Sequence, residues 1–296
     1  MIASASLPNA RRWLRGLALY LTLIAIACVL VLPFYWMIAT AFKTSAEIYA
    51  PRLVWIPSSL TLENFRKALA AAPFGLYARN TLLVASLITA TTLFFCALAG
   101  YAFGRMRFWG RETLFTILIL AMVLPGEVTL IPRFLIARHF PLFGGNNLLG
   151  QGGTGLIDSF AGIVLPQLMS VFGVFLLRQF FRTLPNDLED AARIDGASEW
   201  GIFWRVMLPL AKPALATLGI FTFTGIWDEF VWPLVILNDP DKYMVQLGLS
   251  VFFSEHAVDW GPLMAASTLI SLPVIMVFLG GQRFIVKGIA TTGLKG

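Results

Sequence analysis

The sequence predicts an all-α membrane protein: a bundle of about six transmembrane helices with both termini on the cytoplasmic side. Three observations carry this. The chain has 296 residues, of which 58% are hydrophobic and only 13% charged, too apolar for a soluble domain of this size. Its apolar residues fall into runs long enough to cross a bilayer. Lys and Arg are distributed unevenly between the two sides that alternating runs define. With the N-terminus inside, 14 of the 22 fall on the cytoplasmic side, an excess that orients the spans. The net charge of +6 does not point to nucleic acid, because the basic residues sit at span ends and not in one stripe.

Residues 1–15 form a cytoplasmic N-terminal segment, with Arg11, Arg12 and Arg15 ahead of the first span at about 16–42. The run is too long for a signal peptide and no small-residue cleavage site follows it, so it is read as an uncleaved span kinked at Pro33. The segment 43–78 holds Pro51, Pro57 and Pro73, and is read as interfacial or extracytoplasmic; within it Ser58, Ser59 or Thr61 caps a short helix over 62–71. The second span, about 80–103, ends in a basic turn from Arg105 to Arg111. The third, about 113–136, is interrupted at Pro125, Gly126 and Pro132. The loop 137–159 is rich in Gly and Asn, and its length points to function or disorder. The fourth span is about 160–181, the fifth about 210–237 and the sixth about 262–285. A transmembrane domain 16–286 and a cytoplasmic tail 287–296 complete the layout.

The polar stretch 184–209, LPNDLEDAARIDGASEWGIFWRVMLP, falls in the cytoplasm on this topology. Pro185 fits a first helical turn. Asp187, Glu189 and Asp190 place negative charge near a helix N-terminus, and Glu189 and Arg193 stand four apart in the favourable order. Leu188, Ala192 and Gly196 form a narrow stripe. Gly196 ends the helix in a left-handed conformation and Ser198 caps a second helix entering the membrane. A knob of this kind fits a groove on a soluble partner.

The spacing carries a resemblance. Asp190-Ala191-Ala192, three residues, Gly196, nine residues, then Val206-Met207-Leu208-Pro209 resembles the EAA loop of ABC-importer permeases, with Asp190 for the leading Glu and Val206 for Ile. Thr61 to Phe65, Asn80 to Leu82 and Tyr101 to Phe108 are similar to segments of the carbohydrate-importer permeases. So is Trp227 to Pro233, with Asp228 where Asn is usual. The tail from Gly288 to Gly296 resembles the maltose-importer, MalG-like, branch. The similarity runs from about residue 16; the loop 141–156 departs from it.

The resemblance implies a type I ABC-importer permease-like bundle. It implies an ATPase-coupling role for Leu188, Glu189, Asp190, Ala191, Ala192, Arg193, Asp195 and Gly196, the small residues allowing close approach and the charged ones giving polar contacts. The implied partners are a second, MalF-like permease, two ABC ATPase subunits and an extracytoplasmic solute-binding protein. The tail would reach between the ATPases. ATP and Mg belong to the partner ATPase, with no cofactor in this chain, and the compartment is the bacterial inner membrane.

The residues themselves offer no catalytic or metal site. There is no Walker A pattern, no G-x-S-x-G and no H-E-x-x-H, so any ATP hydrolysis resides in another chain. His139 and His256 read as loop histidines, and Cys28 and Cys96 as packing residues within apolar runs. Charged groups inside spans usually face a cavity or partner. Glu127, after Pro125-Gly126, is one such group. Trp227, Asp228, Glu229 and Trp232 form another, since aromatic faces and acids together suit sugars. Two readings stay open for the latter: a solute path, or an aromatic belt at the outer headgroups. Asp228 and Glu229 point about 100° apart on a helix, so at most one faces a path directly. Gln167 and Ser170 are weaker candidates, equally explained by polar helix packing. The functional expectation is a permease subunit for a sugar, oligosaccharide or sugar-like solute. The alternative is an autonomous ion-coupled transporter using Glu127 or Asp228/Glu229 as a relay, which the lack of a visible internal repeat weakens.

Overall fold

The structure, a computed structural model, describes residues 8–253 and 258–292. Among the described residues it is built of helices, and the β contact is one isolated bridge, Phe253 to Val258. Four helical stretches are long and apolar enough to cross a membrane, or up to six if each of two bent helix pairs is one span. The chain divides into two compact units, 1–72 with 251–269, and 73–250 with 270–296.

In the first unit, α1 (Pro8–Ala41) runs through Pro33 unbroken. Its apolar side chains from Trp13 to Tyr35 are exposed, as suits a helix whose solvent is hydrocarbon. Burial begins at Ala39, Thr40 and Ala41. Lys43 follows, buried, with its ammonium 3.7 Å from the Trp36 ring centroid. Burial pushes its pKa down, and Glu47 opposes that. The short turn α2 (Ser45–Ile48) is held by Glu47, which accepts from the Thr44 amide at 3.0 Å and from the Ser58 amide at 2.8 Å. These bonds, led by the Ser58 hydroxyl, lower its pKa to about 2. The expected helix at 62–71 is α3 (Glu63–Ala71). Its cap differs from expectation. Ser58 serves Glu47, and Thr61 Oγ1 takes the Glu63 amide at 3.1 Å while Leu62 holds the cap position. Asn64 fastens α3 by donating to Ala41 O and Lys43 O, at 3.0 and 2.7 Å. The unit also holds the start of α15 (Trp260–Thr292), where Gly261 lies against Asn64 with no room for a Cβ.

The second unit is organised on α4 (Phe74–Arg105), longer than the expected 80–103. The third span breaks at Pro125 and Gly126 as expected, but not at Pro132, which lies inside the helix that follows. It is α5 (Arg111–Leu120), a 3₁₀ turn and α6 (Gly126–Arg138), bent by 106°. Leu124 precedes a proline and is therefore extended, and Pro125 caps α6 at ψ 139°. The fourth is α7 (Phe160–Val164), a 3₁₀ turn and α8 (Val171–Thr183), the last capped by Ser170 Oγ. Next come α9 (Asp187–Ile194) and α10 (Glu199–Ile202), continuing through a π turn at Phe203–Met207 into α11 (Leu208–Leu210). A 74° bend leads to α12 (Lys212–Trp227). The fifth span was expected to continue to 237, but α12 ends at Trp227. The chain restarts as α13 (Val231–Ile236) because Glu229 Oε1 takes the Trp232 amide at 3.1 Å and caps the new helix. A short turn, α14 (Val245–Gly248), precedes the rest of α15.

Two buried clusters lie along α4. One surrounds Val84 and Ile88 with Ile163, Trp232 and Ile236; the other surrounds Cys96 and Tyr101 with Leu177, Phe181, Phe203 and Leu218. Where α4 meets α8, a Cβ on Gly100 would sit 2.8 Å from Leu177 Cβ and 3.0 Å from Arg178 N. Small residues permit this backbone approach. The Gly-rich loop is ordered by its own bonds. Asn146 Nδ2 donates to Arg138 O and Phe140 O, and its Oδ1 accepts from the Gly153 amide. Asp158 closes the loop: it accepts from the amides of Asn238 and Asp239, both at 3.0 Å, and from Lys242 Nζ at 2.7 Å. His139 caps α6 with Nδ1 2.9 Å from Leu135 O, whereas His256 lies outside the described residues.

Gly100→Leu is expected to lower the thermal stability of the detergent-solubilised protein by about 2 kcal/mol, the typical cost of overpacking. A melting curve unchanged from wild type would show that α4 and α8 are not this close. The Asp158 pKa is held below its usual 3.8, chiefly by the Lys242 hydrogen bond. A depressed acid contributes stability above its unfolded pKa and loses it as pH falls through the folded one. Pepsin cleavage of the loop 138–159 should therefore rise as pH drops below about 4, and Asp158→Asn should show that raised cleavage already at pH 4–5.

Candidate functional site

The stretch 184–209 forms a projecting helix-turn-helix. Leu184, ahead of a proline, is extended, and Pro185 lies before the helix, not in its first turn: Asn186 is the N-cap and its carbonyl takes the amides of Glu189 and Asp190. After α9, Gly196 adopts φ +80°, and the Ala197 amide bonds back to Ala192 O. Nothing lies within 4 Å of a Cβ built on Gly196, so the position demands glycine for its backbone and not for space. Ser198 Oγ accepts from the Gly201 amide at 3.1 Å and starts α10.

The pairing of Glu189 with Arg193 expected from their spacing does not form. Glu189 is only 5% exposed and turns inward. Arg105, from the end of α4, donates Nε to it at 2.8 Å and forms an ion pair through Nη2, and Tyr101 OH donates at 3.0 Å. Arg105 also donates Nη1 to Leu184 O at 3.1 Å, gripping the chain where it enters the knob. Glu189 is thus an anchor within this chain and not a surface contact. Buried charge needs a partner, and Arg105 supplies one at a distance in sequence that helix spacing does not reveal. Arg193 instead bonds Asp190 at 2.9 Å and Glu199 at 2.8 Å, which raises its pKa, the Glu199 hydrogen bond being the main cause. The expected stripe also breaks up: Ala192 packs toward the core around Tyr101, Leu188 is exposed, and Gly196 lies beyond the helix.

What remains outward is a compact surface of Leu188, Asp190, Ala191, Arg193, Asp195 and Gly196, joined by Ile194 and Trp200. Ile194 is 87% exposed and Trp200 58%. A cleft of about 430 Å³ beside it is lined by Arg105, Arg107, Asn186, Asp190, Arg193 and Glu199. Across α4, a second anchor pairs Arg178 on α8 with Glu112 on α5 at 2.7 Å, with the guanidinium 3.7 Å from the Phe115 ring centroid.

The other candidate residues separate by role. Trp227 and Trp232 are both 2% exposed, and their indole N–H groups donate to Ile270 O and Gly162 O, each at 3.0 Å. They brace the fold and are not among the walls of the pocket around Glu229, which sets both apart from the solute-path reading, one of the two left open for this segment. Asp228 is exposed and accepts from Gln246 Nε2 at 3.1 Å. Glu229 lines an open pocket of about 380 Å³ with Gln167, Ser170 and Thr92. Glu127 is exposed in the first turn of α6 and is not among that pocket's walls. The same pocket holds Arg133, which the sequence reading passed over; a lone Arg inside an apolar run was the signal available. Among the described residues no cluster of three or more His, Cys, Asp or Glu is placed to hold a metal ion.

A polytopic helical bundle carrying a helix-turn-helix knob between two spans and an open pocket among its helices defines a membrane transport component. Residues 96–291 match the family described as binding-protein-dependent transport system inner membrane component, and the chain belongs to that family, the permeases of ABC importers. It is 31% identical over 276 residues to the arabinooligosaccharides transport system permease protein AraQ of Halalkalibacterium halodurans, covering 92% of this chain and 93% of that one. It is 32% identical over 269 residues to the diacetylchitobiose uptake system permease protein DasC of Streptomyces coelicolor, covering 90% and 92%. Its fold matches the crystal structure of a bacterial ABC transporter involved in the import of the acidic polysaccharide alginate, with a TM-score of 0.78, 24% identity, and coverage of 95% of this chain and 99% of that one. Family membership sets aside the autonomous ion-coupled alternative.

Glu189→Ala should destabilise the protein by about 3–5 kcal/mol, because it leaves Arg105 buried without a countercharge. Arg193→Ala, which removes only exposed contacts, should leave the melting temperature near wild type. Equal melting temperatures for the two variants would sink the anchor assignment.

Proposed function

We propose that this chain is one permease subunit of an importer for a sugar, oligosaccharide or sugar-like solute in the bacterial inner membrane. The knob at 184–209 meets a separate ATPase in the cytoplasm, and both termini lie on that side. The observation that carries this is the outward face of the knob. Ile194 and Trp200 stand exposed at the end of a polar helix pair, where water is a poor neighbour for them and a partner's groove a good one. Leu188, Ala191 and Gly196 allow close approach, and Asp190, Arg193 and Asp195 supply polar contacts. The chain itself is not an enzyme: ATP and Mg are bound by two ATPase subunits. A second homologous permease completes the membrane part and an extracytoplasmic binding protein delivers solute. The names of the relatives, which carry arabinooligosaccharides and diacetylchitobiose, support the carbohydrate class.

Purification of tagged chain in mild detergent, followed by mass spectrometry, should recover one ATPase and one second permease. A chain that emerges alone and transports in liposomes without ATP would overturn the reading. Gly196→Asp should abolish uptake while leaving wild-type amounts of protein in the membrane, since it strains the turn and places charge on the docking face. Normal uptake by that variant would remove the knob from the coupling role.

A further inference from the structure

Arg133 is a half-buried charge that the coupling role does not use. Its guanidinium carbon lies 3.9 Å from the centroid of the Trp232 ring. Its Nε and Nη2 are buried and have no hydrogen-bond partner. Unmatched guanidinium N–H groups out of water are costly, and none of the described residues matches these two. The ring beneath is fixed, because Trp232 is tied to Gly162 O through its indole N–H and to Glu229 through its amide. Glu229 is close enough to act on Arg133 electrostatically, yet no ion pair forms between them. Both residues line the same open pocket of about 380 Å³, where Thr92, Gln167 and Thr222 add polar atoms and Phe221 adds an aromatic face. That volume is near the small end for ligand pockets.

We propose that this pocket is a solute-recognition point for a neutral, polyhydroxylated ligand, with Arg133 donating to a solute oxygen through Nη1, the guanidinium nitrogen that is not buried, and Glu229 accepting from a solute hydroxyl. The inference rests on the importer reading and deepens it by assigning solute contact to this subunit. A guanidinium N–H suits the oxygen of a carboxylate or of a hydroxyl. Glu229 decides between them: a second carboxylate in the same pocket is repelled, whereas a hydroxyl finds both a donor and an acceptor. Phe221 covers the C–H face of a ring, and the Trp232 ring holds the guanidinium in place from 3.9 Å. The pocket is too small for a long chain, so it takes one end of an oligosaccharide.

The test uses the whole importer in liposomes, with ATPase, second permease and binding protein, and three radiolabelled probes: arabinotriose, diacetylchitobiose and an alginate trisaccharide. Wild type is expected to carry a neutral probe in an ATP-dependent manner. Arg133→Met keeps an apolar stem over Trp232 and removes the N–H donor, so it should lower kcat for that probe roughly tenfold or more, the worth of a charged hydrogen bond. The KM of uptake, set by capture on the binding protein, should not move. Arg133→Lys should restore part of the rate. Wild-type kcat in Arg133→Met overturns the pocket assignment and leaves the importer reading standing. Uptake of the alginate trisaccharide alone overturns the neutral class. Absence of ATP-dependent uptake of all three by wild type overturns the importer reading together with the proposal. Should Arg133→Met fail to reach the membrane, Glu229→Gln decides: it keeps the acceptor for the Trp232 amide, and a wild-type kcat there overturns the proposal.

Discussion

The buried contact between Arg105 and Glu189 is the constraint on which the knob-bearing end of the second unit depends. Arg105 ends the longest helix of that unit, and Glu189 sits on the first turns of the projecting knob. Their side chains are 7% and 6% exposed. A charge so placed is tolerated only with its partner, so the end of α4 and the knob behave as one piece. Tyr101 shares the same carboxylate, and Arg105 also holds the Leu184 carbonyl. The knob cannot shift without carrying α4 or breaking this set of bonds.

That linkage gives α4 its meaning. One end holds the knob, and the middle passes Thr92 and Ile88 along the wall of the open pocket. At 1.5 Å per residue, Thr92 and Arg105 lie roughly 20 Å apart on one helix. Gly100, between them, lets α8 approach to backbone distance. Close-packed helices transmit displacement and do not absorb it. Any displacement of the knob would therefore be delivered to the helix that borders the pocket.

Helix breaks do similar work at the other end. Glu229 caps α13 with the oxygen that takes the Trp232 amide, and this orders the segment after α12. Asp158 reaches the loop after α13 with both carboxylate oxygens engaged. The Gly-rich loop between α6 and α7 is ordered by Asn146 and by seven positions of positive φ between Leu142 and Asp158, five of them glycine. Residues of this kind suit tight turns, because glycine and, less often, aspartate adopt the left-handed conformation at small cost.

Much of this was legible without coordinates. Long apolar runs declare spans because a bilayer admits little else, and the charge bias of their flanks orients them. The turn at Gly196 and the cap at Ser198 were readable too, since both are local: a left-handed residue wants glycine, and a helix start wants a side-chain oxygen. Only the tertiary structure decided the partners of charged groups. Spacing offered Glu189 to Arg193, four residues away, while packing gave it to Arg105, far along the chain, because burying that carboxylate demanded a stronger and better-shielded match. The same holds for Trp227 and Trp232, whose composition suited a sugar and whose burial made them braces. Arg133 completes the contrast: its presence in an apolar run was visible, but that its N–H groups stand unmatched beside a pocket depends on every helix that surrounds it.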